Sequence, residues 1–327
     1  AGTGLHLGRA VLSMGNAFGK KAGEAILVQP CLLKDAAEVE KLLKNGADAM
    51  AQDAAGNHAL GAAACGGDMG VVELLLAHEG IEAALDLPNG MGLTPLWLAA
   101  GYGHLPVLNA LLARGGSPLI AGGTGDTALI AASSKGHADV CGVLIENGAL
   151  IAPTNRGGDT AVGVAAAQGF APVLEQLLDH VEAQGCQDVV GKANERGLYP
   201  LHAAASNGSA ECCKLLLDHG ADHDNRDKNG ASAAMVAGFC GNTEVLKVVF
   251  EHESSVGLDK EATDEAGATI LWTAAAGGKA EAVALCLEKG CSKDATCGGL
   301  TCEAVAIKNG HTAVADMLNG KPGVIAE

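Results

Sequence analysis

The stretch from Gly197 to Asp222 reads GLYPLHAAASNGSAECCKLLLDHGAD. A short Ala-rich segment lies between two glycines eleven residues apart, and an apolar segment follows the second glycine. The adjacent cysteines Cys212 and Cys213 lie between His202 and His219. The stretch is therefore either a metal or redox site, or a structural unit that uses sulfur and imidazole. Whether the rest of the chain repeats the pattern decides between the two.

The pair of glycines recurs along the chain. The first glycines stand at 56, 92, 125, 158, 197, 230, 267 and 299, and each is followed by another glycine eleven residues later. Successive first glycines are 36, 33, 33, 39, 33, 37 and 32 residues apart. Self-similarity with a period near 33 residues is typical of stacked repeats, in which each unit contacts its neighbours.

Each unit reads as a helix, a turn, a second helix and a polar turn. Pro95 and Pro200 stand at the first position of the first helix, where a missing N–H costs nothing. The second glycine suits the turn between the helices because it tolerates a positive φ. Apolar residues at helical spacing, such as Val72, Leu75 and Leu76, predict the second helix. In six units a hydroxyl side chain is placed to cap the first helix: Thr94, Thr127, Thr160, Ser232, Thr269 and Thr301.

These units resemble ankyrin repeats, whose 33-residue period and T-P-L-H-x-A signature they carry in part. The segment Thr94-Pro95-Leu96-Trp97 lacks the histidine of the signature, and Tyr199-Pro200-Leu201-His202 lacks the threonine. The resemblance implies an all-α solenoid of helix-turn-helix units with short β-turn or hairpin tips.

The repeat boundaries follow from the glycines. We expect a solenoid over residues 23–318, with an N-terminal cap at 23–52 and eight repeats that start near 53, 89, 122, 155, 194, 227, 264 and 296. The last unit, with Glu303 at an apolar position, is interpreted as a C-terminal cap. The segment before the second helix of the N-terminal cap is irregular around Pro30. Residues 1–22 are predicted to form a flexible arm, either a processed leader or an anchoring segment, and residues 319–327 a tail.

Three insertions lengthen the basic period after second helices. They fall at residues 77–88, 179–193 and 251–264. In repeat proteins such insertions map to loops on one face. The composition of the second insertion permits an extended helix.

The composition limits the classes of partner. The 327-residue chain carries a net charge of −17, which disfavours nucleic acid and anionic membrane surfaces. No apolar run approaches the length that spans a bilayer, so direct membrane insertion is not expected. The eleven cysteines are odd in number and include no C-x-x-C pair, which favours reduced thiols. We expect an intracellular, reducing compartment, either the cytoplasm or an organelle interior after removal of a targeting peptide.

The repeat register answers the question raised by the cysteines. Cys213 lies five residues after a second glycine, in a core position that Val72 and Leu174 hold in other units. His202 occupies the position of Trp97 and Trp272. We therefore interpret the cysteines and histidines as structural and expect no metal and no cofactor.

A second group of cysteines gives the same answer. Cys286, Cys291 and Cys302 replace a Leu, an Ala and a Pro of other units, and Cys297 is predicted to lie in an exposed turn. Four ligands of a zinc ion must converge, and these positions belong to different layers.

Catalytic motifs are absent from the sequence. It contains no G-x-S-x-G, H-E-x-x-H or G-x-x-x-x-G-K-[ST]. His104, His137 and His311 follow second glycines in one register, which is typical of a repeat signature rather than of general bases. No enzymatic activity is expected.

The resemblance also implies a concave groove formed by the turn tips and the exposed side of the first helices. Most residues at these positions are small and uncharged, whereas acidic residues concentrate on second helices and insertions. Because interface centres are depleted in charge, we expect a partner protein to occupy this groove. The candidate protein-binding residues are Met91, Leu93, Tyr102, Lys135, Arg196, Leu198 and Phe239.

Two classes of function remain open at this point. The first is a non-catalytic protein–protein interaction scaffold that binds through the groove as a stoichiometric subunit of a larger assembly. The second is a regulatory subunit or adaptor of an enzyme, or an enzyme whose catalytic part lies outside this chain.

Overall fold

The computed structural model describes residues 26–255 and 257–320. The predicted arm at 1–22 and residues 321–327 of the predicted tail lie outside these residues. The described residues form an all-α fold with one two-stranded hairpin, as predicted. They fall into two compact units, of which unit 1 ends at Leu150 and unit 2 begins at Ile151.

Unit 1 consists of helical pairs joined by short turns. Its helices are α1 (Val28–Leu32), α2 (Ala36–Lys44), α3 (Ala59–Gly66), α4 (Met69–Leu76), α5 (Pro95–Tyr102), α6 (Leu105–Ala113), α7 (Ala128–Ser133) and α8 (Ala138–Glu146). The first helices α1, α3, α5 and α7 pack side by side, and α2, α4, α6 and α8 form a second layer. The insertion at 77–88 contains a 3-10 turn at Ile81–Ala84.

Unit 2 repeats this arrangement. Its helices are α9 (Ala161–Gln168), α10 (Ala171–Val181), α11 (Pro200–Asn207), α12 (Ala210–Asp218), α13 (Ala233–Cys240), α14 (Thr243–Glu251), α15 (Ile270–Ala276), α16 (Ala280–Glu288), α17 (Cys302–Lys308) and α18 (Thr312–Leu318). Strands β1 (Thr296–Cys297) and β2 (Leu300–Thr301) pair antiparallel at the last tip. The insertions at 179–193 and 251–264 contain 3-10 turns at Gln187–Gly191 and Glu253–Ser255.

Local chemistry sets where the first helices begin. The predicted caps are confirmed: the Thr94 hydroxyl accepts the N–H of Trp97 at 3.2 Å, and the Thr160 hydroxyl accepts that of Gly163 at 3.1 Å. The other four predicted hydroxyls make the same bond. Each of these bonds satisfies an N–H that has no partner within the helix.

The second glycines allow a histidine to pack against the turn. Gly67 has φ +76°, and a Cβ there would collide with the imidazole of His104 in the next repeat. An L-residue would be strained at this φ even without the collision. The glycine is therefore required both by its conformation and by the close approach of the ring.

The core is built from Ala, Leu, Val and Cys. Cys213 and Cys141 are fully buried, as their repeat register predicts. The prediction that Cys297 is exposed was wrong: its side chain is buried, and its Sγ donates to the Ala266 carbonyl at 3.1 Å. The segment around Pro30 was also misread, because Pro30 lies in the first turn of helix α1, where no N–H is needed.

None of the helices among the described residues combines the length and the apolarity needed to cross a membrane.

Candidate protein-binding site

Ring side chains at the start of the first helices link neighbouring repeats, Trp97 from inside its helix and His58 from the N-cap. In unit 1 the ring nitrogen of Trp97 donates to the Asp126 carbonyl at 2.9 Å, and Nε2 of His58 donates to the Leu87 carbonyl at 2.9 Å. A carbonyl can only accept, so this His58 nitrogen carries the proton. His58 is the N-cap of its helix, and its other ring nitrogen accepts the Gly61 N–H at 3.4 Å.

In unit 2 the position of Trp97 is occupied by His202 and Trp272. Nε2 of His202 donates to the Ala231 carbonyl at 2.8 Å, and the Trp272 ring donates to the Leu300 carbonyl at 3.0 Å. Burial lowers the pKa of His202, as it does that of His58. These rings are hydrogen-bonded structural groups, which agrees with the interpretation from the sequence.

A second set of polar side chains links neighbouring repeats at the turn between helices. Nε2 of His104 donates to the Cys65 carbonyl at 3.0 Å. In unit 2 asparagines take this role, and Asn207 donates to the Ala167 carbonyl at 3.1 Å. A histidine held in this way has a packing role that accounts for its recurrence.

The turn tips are held by backbone hydrogen bonds between repeats. In unit 1 the Gly90 N–H donates to the Ala55 carbonyl at 2.9 Å. In unit 2 the Glu195 N–H donates to the Gly157 carbonyl at 2.9 Å, and the Asn194 side chain accepts the N–H groups of Arg196 and Leu198. The tips therefore present their side chains from a fixed backbone.

The candidate residues of unit 1 differ in their exposure. Met91 is 40% exposed at its tip, and Lys135 is exposed after α7. The expectation that Leu93 is available to a partner was wrong: Leu93 is only 6% exposed, because its side chain packs against the backbone of Gly122 in the next tip.

Tyr102 is half-buried in unit 1. Its ring stacks on His104 with the ring centroids 6.2 Å apart, and its hydroxyl is hydrogen-bonded to Cys65. Burial raises the pKa of the Tyr102 hydroxyl to about 12. Tyr102 therefore contributes to the packing between repeats as well as to the surface.

In unit 2, Arg196 and Leu198 lie together on one groove. Its volume is about 290 Å³, and it opens between α9 and α11 and the tips that precede them. Phe239 is 57% exposed at the end of α13 and does not line this groove.

The groove includes residues that the sequence did not identify as candidates. They are Asp159, Lys192, Asn194, Tyr199 and His202. Lys192 comes from the end of the inserted segment, whose path the repeat period does not define. Tyr199 was visible in the sequence as the residue that replaces the threonine of the signature, and this departure was the available signal.

Tyr199 leaves helix α11 without the usual cap. Its side chain makes no cap hydrogen bond, although its backbone (φ −83°, ψ 157°) matches that of Thr160 (φ −85°, ψ 169°). Tyr199 also lies beside His202, with ring centroids 5.5 Å apart. Nδ1 of His202 is buried and has no hydrogen-bond partner. Within the described residues, α11 is the one first helix after a paired glycine that lacks a side-chain cap.

Cys286 and Cys291 were expected to lie in different layers, but their thiols are hydrogen-bonded to each other. Asp222, His223 and Asp224 form the one group of three in the described part of the chain whose ligand atoms lie within 4.8 Å of one another. They lie in a polar turn, two of them exposed. Burial raises the pKa of the Cys31 and Cys213 thiols to about 12, which keeps them protonated and unreactive at neutral pH.

Comparisons with known proteins agree with this architecture. A family model described as ankyrin repeats in three copies matches residues 31–121 and 165–264, and a model of a single ankyrin repeat matches residues 124–156.

Curated relatives match over shorter stretches. The chain is 38% identical over 84 residues to nuclear factor NF-kappa-B p105 subunit from Gallus gallus, covering 26% of this chain and 8% of that protein. It is 32% identical over 101 residues to protein phosphatase 1 regulatory subunit 27 from Homo sapiens, covering 28% and 62%. It is 34% identical over 89 residues to human ankyrin repeat domain-containing protein 63, covering 27% and 23%. The match thus spans less than two thirds of each of these relatives.

Proposed function

The chain belongs to the ankyrin-repeat family, and we propose that it is a non-catalytic adaptor that binds a partner protein through the tips and first helices of its repeats. The observation that carries this proposal is the groove of unit 2, where Arg196 and Leu198 meet on a fixed backbone. A concave site with apolar walls and a few placed polar groups is the usual form of a binding site.

Each unit also has an exposed apolar side chain on a tip or a first helix outside this groove. Met91 stands on a tip of unit 1, and Phe239 ends a first helix of unit 2. Large side chains of this kind supply much of the binding energy of protein interfaces.

The hydrogen bonds and burial of the histidines and thiols support a non-catalytic role. His58, His104 and His202 are each hydrogen-bonded to a backbone carbonyl, and burial raises the pKa of the Cys213 thiol. Groups tied up in packing are poorly suited to proton transfer, which requires a pKa near the operating pH and access to substrate. We further propose a reducing compartment, as the sequence suggests, because nine of the eleven cysteines are buried as small core residues.

A narrower form of the same function is the regulatory subunit of an enzyme. The similarity to protein phosphatase 1 regulatory subunit 27 favours it, because that match covers 62% of the relative. Under this alternative the groove would hold a segment of the catalytic chain.

The test is co-purification of the tagged chain from its source, followed by a cross-linking map of the complex. We expect cross-links from the tips and first helices. Phe239→Ser should reduce recovery of the partner, whereas the control Leu119→Ser should not, because Leu119 is an equally exposed apolar residue away from the first helices. Equal loss with both variants, or cross-links confined to the second helices, would contradict the proposal.

A further inference from the structure

The groove of unit 2 is lined in part by very small side chains. Gly163 and Ala167 on α9 and Ala203 on α11 line it, so two packed helices leave an open trough. Leu198 and Tyr199 line it as well. A trough of this form admits an extended chain, because the backbone of an incoming segment can lie close to residues that lack bulk.

In the other repeats the residue at the position of Tyr199 caps the first helix with its side chain, and helix α11 has no side-chain cap in its place. Its backbone already has the capping conformation, so a threonine would fit the local geometry. Local rules are most often broken at functional sites. The tyrosine lines the groove, where its ring offers a flat apolar surface and its hydroxyl a polar end.

His202 provides a second, independent sign of a missing partner. It is 1% exposed and lines the groove, and its Nδ1 is an acceptor without a donor. Buried polar atoms are nearly always hydrogen-bonded, so an exception calls for an explanation. The backbone N–H of an extended segment is a donor of the kind that this nitrogen lacks.

The charge on the groove selects the chemistry of the segment. Lys192 and Arg196 line it, and their side chains make no ion pair or hydrogen bond among the described residues. One carboxylate also lines the groove, but Asp159 accepts a hydrogen bond from Asn194 at 2.7 Å. In a chain of net charge −17, two free cations beside an apolar wall are complementary to a carboxylate.

We propose that this groove takes an extended segment of a partner protein in which an acidic residue lies beside an apolar one. Arg196 and Lys192 bind the carboxylate, and Leu198 and Tyr199 contact the apolar side chain. This inference rests on the proposed adaptor function and specifies the kind of partner at that same site.

The experiment is a selection of displayed random dodecapeptides on the full chain, followed by fluorescence anisotropy with the selected peptides. We expect selected peptides to contain Asp or Glu next to Leu, Ile or Phe. Replacing that Asp or Glu by Asn or Gln should weaken binding by about tenfold, as should the double variant Lys192→Glu/Arg196→Glu. The matched control Lys214→Glu/Lys293→Glu changes the net charge equally within unit 2, at exposed positions outside the groove, and should stay within about threefold of wild type.

Tyr199→Thr gives a readout that does not depend on charge. It should weaken peptide binding while circular dichroism shows an intact fold, because the substitution removes the ring from the groove and supplies a helix cap. A variant that binds the selected peptides as tightly as wild type would count against the assignment of Tyr199 to the site.

The outcomes separate this inference from the proposed function. Selected peptides without acidic residues, or peptides that bind the groove variant as tightly as wild type, overturn the inference and leave the adaptor function standing. Peptides that bind neither wild type nor variant, together with no co-purifying protein, overturn both. If the groove variant instead loses binding to a uridine homopolymer, or turns a dimer into a monomer by light scattering, the occupant is RNA or a second copy and the inference is wrong.

Discussion

Replacing Tyr199 by threonine supplies helix α11 with the cap that the equivalent helices possess. The backbone at 199 already matches that of the native cap Thr160 within a few degrees in φ and about twelve in ψ, so little rearrangement is needed. The new hydroxyl accepts the N–H of His202, as Thr94 accepts that of Trp97. Such a bond contributes about 1 kcal/mol to the free energy of unfolding.

The loss of the tyrosine ring offsets part of this gain, so the informative comparison is with Tyr199→Val. Valine has the shape of threonine and no hydroxyl, and both variants lose the same ring. We expect the threonine variant to be more stable than the valine variant by about 1 kcal/mol. For a unit of this size that difference corresponds to roughly 2–4 °C in Tm.

The assay is unfolding in urea followed by far-UV circular dichroism, with a thermal melt in parallel. Thr160→Val serves as the reference, because it removes a cap that is present and should cost a similar amount. Equal urea midpoints for the threonine and valine variants at 199 would refute the reasoning, because the threonine hydroxyl would then form no stabilising hydrogen bond with the His202 N–H.

Three further predictions concern the packing. Gly67→Ala should lower the free energy of unfolding by well over the roughly 1 kcal/mol of left-handed strain expected for Gly46→Ala, because only at Gly67 does the new methyl group meet the His104 ring. Urea midpoints compare the two variants, and equal losses of stability would contradict the prediction. Cys213→Val should change the free energy of unfolding by less than about 1.5 kcal/mol, whereas Cys213→Asp should unfold its repeat, as proteolysis would show; a folded aspartate variant would mean the site is not buried. Burial lowers the pKa of His202, so the unfolded chain binds a proton at a higher pH than the folded chain, and the free energy of unfolding should fall as the pH drops below about 6.5. His202→Gln keeps a donor for the Ala231 carbonyl and should reduce that fall. An unchanged pH dependence in this variant would exclude His202 as a cause of the acid destabilisation.

The caps and the core positions could be predicted from the sequence because their causes are local. A capping hydroxyl and the N–H that it accepts are three residues apart, as at Thr94 and Trp97. The core register of Cys213 follows from helical spacing after a glycine. In both cases the information lies within one unit and repeats along the chain.

The position of tip side chains could not be predicted, because it depends on the neighbouring repeat. Leu93 turns inward since Gly122, in the following tip, leaves room for it. Cys297 is buried because the Ala266 carbonyl of the preceding tip accepts its thiol. A single repeat read in isolation does not contain these partners.

The groove of unit 2 could not be predicted from the sequence for a related reason. Lys192 reaches it from an insertion that ends in a 3-10 turn, and nothing in the repeat period fixes where that segment returns. Tyr199 was recognised as a departure from the signature, but its consequence, an uncapped helix beside an unpaired His202 nitrogen, required the structure.

Amide hydrogen exchange of the chain, free and in complex with its co-purified partner, tests the central claim most directly. Binding through tips and first helices predicts slower exchange in the complex at the tip around Arg196 and in α9 and α11. Exchange in the second helix α12 should stay unchanged, because it lies outside the lining of the groove. Slower exchange confined to second helices and inserted segments, with α9 and α11 unaffected, would contradict the account. The binding surface would then be the second helices and insertions, where the acidic residues concentrate.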